Sequence, residues 1–496
     1  MTDDIASGYG VGKTSRTSKD SIQQDMFSEG LNKKKCVGNP AEVQAFSDAP
    51  IAIRPYQEES IVESLEAWER GICRQVVSMA TGGGKTICFS LLAQRFLDRL
   101  KAKGVPRKKR KVLILAHREE LVRQNAEKFK WVNPDLKVQI EQGPLHAELD
   151  TDIISGCVAT MGRNGSSRIH RFDPSDFCMV IVDEVHHAAS DSYKRILHDF
   201  FHTNDPDSTL FVSGWSATVK RSDGKGLEDV FDEIVYHKGI LSLINEGYLT
   251  RLRGKLISTD VDLSSVGNVM GDFNQGQLGA TVNTPHRNSM MVKAWEEEVR
   301  DAGRKSTMVF CVDREHAAAV RDLFQASGIP TEMVLGNTPK EERERILNDF
   351  SAGHLAVLVS VLVYTEGTDI PCIDTIIMGR PTQSSSLYQQ IMGRGLRLFP
   401  GKEDCLVLDV VDTCSKNSLV TVPALMGLNK DFDAKGEDMV VIAEKVQAMA
   451  DRNAGVVNAL DMAHAERIIA EDFDPFSTMP PPDEIQRMSE MKWFRR

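Results

Sequence analysis

Residues 76–97 read VVSMATGGGKTICFSLLAQRFL, an apolar segment followed by three glycines and then an amphipathic segment. The apolar residues before the glycines predict a buried β-strand, and the spacing of apolar residues after them predicts an α-helix. Gly82, Gly83 and Gly84 allow the loop to curl around an anion with its amide groups pointing inward, and the dipole at the N-terminus of the following helix favours the same anion. The segment therefore predicts a phosphate-binding loop at the carboxyl end of a strand.

Three polar residues of this loop are expected to contact a nucleotide. Lys85 should reach the β and γ phosphates, Thr86 should supply a hydroxyl ligand to Mg²⁺, and Thr81 should line the same site. The general phosphate-loop pattern begins with glycine, where this chain has Met79. A glycine-rich turn with a surface lysine is the alternative interpretation, and the flanking strand and helix patterns argue against it.

Strand and helix patterns alternate in two blocks, which together are too long for one hydrophobic core at 496 residues. The first block continues through KVLILAH, ELVRQNAEKF, VIVDE and TLFVSGWSA. The second contains STMVFCV, EHAAAVRDLFQASG, TEMVLG, KEERERILNDFSAG, AVLVSVLVY, TIIMGR, LYQQIMGRGLR and CLVLDVV. Such alternation predicts an α/β protein with two domains, each built on a parallel sheet.

The changes in composition predict five segments. These are a disordered tail at 1–48, a first domain at 49–250, a linker at 251–285, a second domain at 286–428 and a C-terminal extension with short helices at 429–496. The tail contains GYGVGKTS at residues 8–15, which ends in Gly-Lys-Thr as a phosphate loop does. No strand pattern precedes it, so we do not expect it to bind nucleotide.

The composition is that of a globular protein, with 41% hydrophobic and 26% charged residues. The long apolar run at residues 355–364 is shorter than the roughly 20 residues that span a bilayer, so we expect a buried strand there. The nine cysteines form no CxxC pair, which argues against a disulfide framework or zinc site and favours an intracellular, reducing compartment. Neither a secretory signal nor a typical mitochondrial presequence is visible.

The net charge of −11 is unusual for a protein that binds nucleic acid, because lysine and arginine normally neutralise phosphates. It does not exclude such a partner. A groove that holds one strand needs local donors, including backbone amides, rather than a basic surface overall.

VIVDEVHH at residues 180–187 places two acids directly after an apolar strand. The carboxyl ends of parallel strands are where α/β sheets bind ligands. Asp183 is the expected Mg²⁺ partner, and Glu184 is the expected group that polarises an attacking water. A helix cap is the alternative for this pair, and the phosphate loop earlier in the chain favours the catalytic interpretation.

QQIMGRGLR at residues 389–397 places Arg394 and Arg397 three residues apart in the second block. A continuous helix would put both on one face, where two guanidinium groups suit a triphosphate. Taken alone, the arginines fit a solvated surface or pairing with acids better.

These motifs, taken in chain order, resemble superfamily 2 helicases of the DEAD/DEAH-box and type-III-restriction-like group. The matching segments are IRPYQ, MATGGGKT, LAHREELVRQ, VATMGR, DEVH, SAT, MVFCVD, TEGTDIP and QQIMGRGLR, between about residues 51 and 420. Five further segments are most similar to fungal mitochondrial branch-migration helicases: RKSTMVFCVD, TPKEERERILNDF, TEGTDIPCID, GRPTQSSSLYQQIMGRGLRLFPGK and FDEIVYHKGI. The resemblance implies two tandem RecA-like domains of the P-loop NTPase type and a mitochondrial location, with nucleus or cytoplasm as alternatives.

The resemblance also implies roles for individual residues. The nucleotide would be contacted by Arg54, Gln57, Gly367, Asp369 and Gln390, besides the phosphate loop. Catalysis would involve Lys85, Asp183, Glu184, Arg394 and Arg397, with Arg397 the better arginine-finger candidate. ATP state would be coupled to strand binding by His186, Ser216 and Thr218. Phosphates of the nucleic acid would be bound by Arg118, Thr160, Thr338 and Thr365.

The chain departs from the family pattern at two points. SGWSATVKR has Trp215 before Ser216 and no proline after Thr218, which leaves the coupling segment unlike the usual one. DEVH in place of DEAD makes the RNA-unwinding mode of DEAD-box proteins a weaker expectation.

The sequence thus predicts an ATP-dependent DNA helicase or translocase that uses ATP and Mg²⁺. An RNA helicase is one alternative, since contacts to phosphates do not separate DNA from RNA unless the 2′-hydroxyl is read. A non-hydrolysing scaffold that binds nucleic acid is another, although the loop lysine, both acids and both arginines are present.

Overall fold

The computed structural model describes residues 53–217, 227–269, 271–364, 370–413, 419–426, 428–450 and 459–465. Four of the expected site residues lie outside these ranges: Thr218, Thr365, Gly367 and Asp369. The expected disordered tail and its Gly-Lys-Thr sequence also lie outside them.

The first domain is built on a seven-stranded parallel sheet in the order β3-β4-β2-β5-β6-β1-β7. Its strands are β1 Arg74–Met79, β2 Lys111–Ala116, β3 Val138–Glu141, β4 Ile153–Cys157, β5 Phe177–Asp183, β6 Phe211–Ser216 and β7 Glu233–Lys238. The central strands β2, β5 and β6 are almost wholly buried, as expected of strands covered by helices on both faces.

Six α-helices surround this sheet: α1 Pro55–Glu69, α2 Lys85–Ala102, α3 Glu119–Val132, α4 Val158–Met161, α5 Asp191–Lys194 and α6 Ile240–Asn245. A π-helical turn at Arg195–Phe200 continues α5. Short 3₁₀ turns occur at Arg107–Lys109, Ile169–Arg171, Pro174–Asp176 and Val185–His187. The Phe89 ring of α2 stacks on Phe129 of α3 at 5.7 Å and meets Trp215 of β6 edge-on at 5.8 Å. These aromatic contacts fix the helix that follows the phosphate loop against the sheet.

The second domain is built on a six-stranded parallel sheet in the order β12-β13-β11-β14-β15-β8. Its strands are β8 Arg251–Asp262, β11 Thr307–Phe310, β12 Thr331–Val334, β13 Val357–Ser360, β14 Thr375–Met378 and β15 Asp404–Thr413. A separate antiparallel pair is formed by β9 Asn268–Val269 and β10 Asp272–Phe273. With the first sheet, this arrangement confirms the predicted fold class of tandem α/β domains.

Among the described residues of this second part of the chain are the helices α7 Gln275–Val282, α8 Pro285–Glu298, α9 Arg314–Ala326, α10 Lys340–Ser351, α11 Ser385–Gly395, α12 Val422–Leu425 and α13 Met439–Ala450. A fully buried ion pair holds α8 to the sheet, where Arg287 donates to both carboxylate oxygens of Asp412 at 2.7 and 2.8 Å. Arg287 also donates to the carbonyl of Gly379 at 2.9 Å. These bonds compensate a charge pair that would be costly to bury alone.

The interpretation of residues 251–285 as a linker needs correction, because they form regular structure. Strand β8 pairs with β15 at the edge of the second sheet, and α7 follows the β9–β10 pair. The alternating burial of RLRGKLISTDVD is the signal of a strand with one covered face. The polar and glycine-rich residues after it obscured this signal. We propose that the second domain begins at Arg251.

Helix α13 lies in the segment expected to be a C-terminal extension. Met439, Ile442 and Val446 are buried in the same hydrophobic cluster as Ile244 of α6. Asn245 of α6 donates to the Glu444 carboxylate of α13 at 2.9 Å. The described part of the extension therefore packs against both domains.

Two further findings concern the whole described chain. Within the described ranges, no helix combines the length and the apolar character needed to cross a membrane. The described cysteines are Cys73, Cys88, Cys157, Cys178, Cys311, Cys372 and Cys405, and all of them are free thiols.

Candidate nucleotide-binding site

The loop between β1 and α2 has the backbone that its glycines predict. Gly82 and Gly84 have φ values of +89° and +85°, in the left-handed region that glycine adopts without strain. A side-chain carbon at Gly84 would also collide with the amide of Gln57. Gly84 is the N-cap of α2, so the loop ends at the helix terminus that favours anions.

The segment IRPYQ, whose Arg54 and Gln57 are expected to contact the nucleotide, is hydrogen-bonded to this loop. Gln57 and Tyr56 both donate to the carbonyl of Gly83, each at 2.9 Å. Arg54 lies over the ring of Tyr248, 5.4 Å from its centroid, and donates to the Tyr56 hydroxyl at 3.1 Å. Gln57 and Arg54 are thus brought beside the phosphate loop, with the two tyrosines completing one wall.

Lys85 and Glu184 meet across the loop, with the ammonium nitrogen 3.6 Å from a carboxylate oxygen. Ser216 donates to Glu184 at 3.2 Å, and a ring nitrogen of His186 lies 3.4 Å from the same carboxylate. Burial raises the pKa of Glu184, but Lys85, His186 and the Ser216 bond outweigh it, so the pKa lies below its ordinary value. An ionised Glu184 can accept a hydrogen bond from an attacking water.

Asp183 ends β5 and is buried beside α3. Asn125 of that helix donates to an Asp183 oxygen at 3.1 Å. Asn125 lies on the apolar face of α3 with Val122 and Phe129, where a polar residue is unusual. That interruption of the apolar stripe is a sequence signal that could have identified Asn125 as a site residue.

Three histidines lie next to the two acids. The His187 ring is 4.0 Å from His117 and 4.2 Å from His186, measured between ring centroids. Burial, together with the charge of Arg118, lowers the pKa of His117 to about 4, so this ring is neutral near pH 7. The sequence motifs singled out His186 alone, and the structure adds His117 and His187 to the cluster.

Trp215 and Ser216 point to opposite sides of β6, as successive strand residues do. Trp215 is fully buried and donates to Ser213 at 2.9 Å, behind the site. Ser216 lies within hydrogen-bonding distance of His186 at 3.1 Å on the other side. Trp215, which departs from the family pattern, therefore occupies a core position. The polar contact between Ser216 and His186 in the coupling segment is kept.

The second domain contributes α11, which reaches the phosphate loop. A side-chain carbon at Gly393 would collide with the side chain of Thr81, and one at Gly82 would lie 3.6 Å from the Gly393 carbonyl. This close approach requires glycine at position 393. It brings the segment that carries the two arginines to the nucleotide loop of the first domain.

The positions of Arg394 and Arg397 relative to helix α11 differ from the prediction. Helix α11 ends at Gly395, so the prediction that both arginines share one helical face is wrong. Arg394 is a buried residue of the helix, whereas Arg397 lies in the turn beyond it. Burial lowers the pKa of Arg397, and the group stays charged because its ordinary value is so high. Gln390 is buried on the same helix.

The three described candidates for strand binding lie on separate elements. Arg118 is the N-cap of α3, and Thr160 accepts from the Gly143 amide at 3.2 Å. Thr338 caps a turn of the second domain by accepting from the Leu335 amide at 3.0 Å. The threonine side chains therefore have local structural roles, and their role towards nucleic acid stays a prediction.

The glycine loop before α2, the paired acids after β5 and a second domain that touches the loop define a two-domain P-loop NTPase. Two family descriptions match the chain. "Type III restriction enzyme, res subunit" covers residues 50–221, and "Helicase conserved C-terminal domain" covers residues 290–398.

The chain is also similar to two yeast proteins over most of its length. IRC3 of Saccharomyces cerevisiae, whose name describes an ATP-dependent helicase, is 36% identical over 81% of this chain and 58% of its own length. The irc3 protein of Schizosaccharomyces pombe, whose name describes a mitochondrial ATP-dependent helicase, is 37% identical over 77% of this chain and 61% of its own. The chain thus spans about 60% of the length of these relatives.

Solved structures support the fold. A fragment of an HsdR-type subunit of a type I restriction enzyme from Vibrio vulnificus superposes with a TM-score of 0.56, at 21% identity over 73% of this chain and 65% of that one. The restriction-modification enzyme LlaBIII superposes with a TM-score of 0.54, at 17% identity over 81% of this chain and 30% of that one. The chain therefore carries two domains of the superfamily 2 helicase type, one described by each matched family.

Proposed function

We propose that the chain is an ATP-dependent DNA helicase or translocase that couples hydrolysis of Mg-ATP to movement on DNA. The observation that carries this proposal is the contact of Gly393 with the phosphate loop, since it places the arginine segment of one domain at the nucleotide loop of the other. A single-domain P-loop ATPase has no such arrangement. Closure of two domains on ATP is the conformational change that a strand-tracking motor requires.

Each residue has a part in this proposal. Lys85 binds the triphosphate, and its contact with Glu184 holds the general base beside the γ-phosphate position. Glu184 orients and polarises the attacking water, while Arg394 and Arg397 stabilise the charge that spreads onto the γ-phosphate oxygens. Gln57 and Arg54 recognise the base from the loop side. The hydrogen bond from Ser216 and the close approach of His186 to Glu184 link hydrolysis to the strand-binding residues.

Mg²⁺ is proposed as the cofactor, held by Thr86 and Asp183. The donors fit, because hydroxyl and carboxylate oxygens are ligands that Mg²⁺ prefers. Among the described residues, no cluster of three or more His, Cys, Asp or Glu side chains suited to a metal occurs. Mg²⁺ in nucleotide sites is usually held by one or two protein oxygens and by phosphates, and there it neutralises the charge on the transferring group.

We propose DNA as the nucleic acid along which the chain moves. The name of LlaBIII's structure describes that enzyme bound to DNA, and the chain shares its fold. The yeast relatives are named as helicases, one of them mitochondrial, so we propose a mitochondrial site of action for this chain as well. Imaging of the tagged chain against a mitochondrial marker tests the location.

The decisive experiment compares ATP turnover on single-stranded DNA, branched DNA and RNA. We expect strong stimulation by DNA and weak stimulation by RNA. Stimulation by RNA alone would overturn the choice of DNA as substrate. Turnover that none of the three nucleic acids changes would overturn the proposal that the chain is a motor.

Lys85→Ala and Glu184→Gln separate binding from chemistry in the same assay. Lys85→Ala should weaken ATP binding, because the lysine contacts the triphosphate. Glu184→Gln should retain ATP, stay bound to the strand and lose on the order of 10² to 10⁴ of turnover. Hydrolysis by Glu184→Gln at the wild-type rate would show that the general base has been misassigned.

A further inference from the structure

Lys402 lies in the loop between α11 and β15, beyond residues 290–398 that the helicase C-terminal description matches. Its ammonium group donates to the carbonyl of Gly395, to that of Arg397 at 2.9 Å and to that of Pro371 at 3.4 Å. All three acceptors are main-chain oxygens. The contact with Gly395 is at the end of α11, and that with Arg397 is in the turn that carries the proposed arginine finger.

These contacts supply hydrogen bonds to main-chain carbonyls at and just beyond the end of the helix. The last carbonyls of a helix have no partners within the helix, and a cation at that end also interacts favourably with the helix dipole. Lysine brings three N–H donors on one flexible stem, which matches three separate carbonyls. Lys402 is therefore the group that ties the end of α11 to the turn after it.

Through the carbonyl of Pro371, Lys402 also contacts a second motif. Pro371 ends TEGTDIP, the segment whose Gly367 and Asp369 are proposed to touch the nucleotide. One ammonium group thus links the ends of TEGTDIP and QQIMGRGLR. Burial lowers the pKa of Lys402, because the ammonium group is desolvated where a lysine in an exposed loop would be hydrated.

We infer that Lys402 is a positioning residue, which fixes the turn after α11 so that Arg397 is aimed at the triphosphate when the domains close. This inference rests on the proposed ATPase function and adds to it a residue to which the motifs assign no role. Lys402 acts through the main chain of Arg397 and does not itself contact the nucleotide.

The test variant is Lys402→Met, which keeps the apolar stem and removes the donors. A small misplacement of a catalytic group costs on the order of 10² in rate, so kcat for DNA-stimulated ATP hydrolysis should fall by about that factor. KM for ATP should stay near the wild-type value, because the phosphate loop is untouched. Lys402→Arg keeps a cationic donor and should recover much of kcat. Lys402→Leu, which also lacks donors, replaces Lys402→Met if the latter does not fold, with the same expected loss.

A matched control is Lys111→Met. Lys111 is also a buried lysine, which donates to Asp176 at 3.2 Å and to the carbonyl of Leu149, away from the phosphate loop. This variant should lower the melting temperature and leave kcat and KM of the folded protein unchanged. An equal loss of kcat in both variants would reduce Lys402 to a general structural role and overturn the inference.

The double variant Lys402→Met with Arg397→Ala shows whether Lys402 acts through Arg397. If it does, the double variant has the same kcat as Arg397→Ala alone, since there is no guanidinium left to aim. Independent, multiplicative losses would contradict the inference. Failure of the proposed function looks different, because the wild-type chain itself would then show no turnover stimulated by nucleic acid.

Discussion

Glu184 in the first domain and Arg397 in the second are both proposed to contact the triphosphate, but they are held by different means. The Glu184 carboxylate accepts a hydrogen bond from Ser216, and the Lys85 ammonium and a ring nitrogen of His186 lie within ion-pair distance of it. Arg397 follows the end of a helix, and the bond from Lys402 reaches its main chain rather than its guanidinium. The first domain therefore presents a prepared binding site, whereas the second supplies a group whose position depends on a turn and on domain closure. Binding and turnover should respond differently to changes in the two regions.

The largest effect is expected from Arg397→Ala. An arginine finger contributes on the order of 10³ to 10⁵ in rate, so DNA-stimulated turnover should nearly vanish. ATP affinity should stay close to wild type, because the first domain is intact. Arg397→Lys should restore little, since a point charge does not reproduce the planar fork of a guanidinium. The measurement is nucleotide affinity beside turnover at saturating DNA.

Arg321→Ala is the control for this prediction. Arg321 is a surface residue of α9 that pairs with its neighbour Asp322. Its replacement by alanine should change neither ATP affinity nor turnover. If Arg397→Ala keeps more than about a tenth of wild-type turnover, the finger is Arg394 or the assignment fails.

An intermediate effect is expected from Gly393→Ala, which tests the contact between the two regions. The added methyl group would collide with Thr81 and hold the arginine segment away from the phosphate loop. A displacement of about 1 Å at a catalytic site costs on the order of 10² in rate, so we expect a loss of kcat near that size with a normal melting temperature.

Gly276→Ala is the matched control, because a methyl group in α7 would meet only Asn274, at an ordinary 3.7 Å. Its turnover should equal that of the wild type. Wild-type turnover by Gly393→Ala would mean that the contact plays no part in catalysis.

The smallest effect is expected from deletion of residues 1–45, which removes the second Gly-Lys-Thr sequence. A phosphate loop needs a strand before it, and the sequence has no strand pattern there. ATP binding and turnover should remain nearly unchanged in the truncated chain. Loss of nucleotide binding would show that this sequence is a genuine second site.

Local patterns predicted much of the fold. The strand, loop and helix around MATGGGKT and the long amphipathic helices α9 and α10 agree with the structure, because burial repeats at a fixed spacing within each element. The short strands β3, β4 and β7 were missed. β3 and β7 are edge strands of four and six residues with partly exposed patterns, which local periodicity separates poorly from loops.

The site was predictable as a set of residue types but not as an arrangement. Gly82, Lys85 and Asp183 could be proposed from their motifs, and Asn125 had a weak signal as a polar residue within an apolar stripe. Lys402 ends one of the segments that resemble the fungal helicases. Nothing in that segment assigned it a role, since a lysine in a loop is normally solvated. Only the folded chain shows that α11 stops at Gly395 and that three carbonyls then meet one ammonium group.

The sequence by itself determined the class of protein: two α/β domains, a phosphate loop and a pair of acids at a strand end. Each of these depends on neighbours within a few residues, so the covalent order of the chain is enough to specify them. The tertiary structure alone decided how the halves of the site meet, through Gly393 against Thr81 and Lys402 beneath the Arg397 turn. These contacts join residues that are far apart in the chain, and their formation depends on the packing of whole domains rather than on any local pattern.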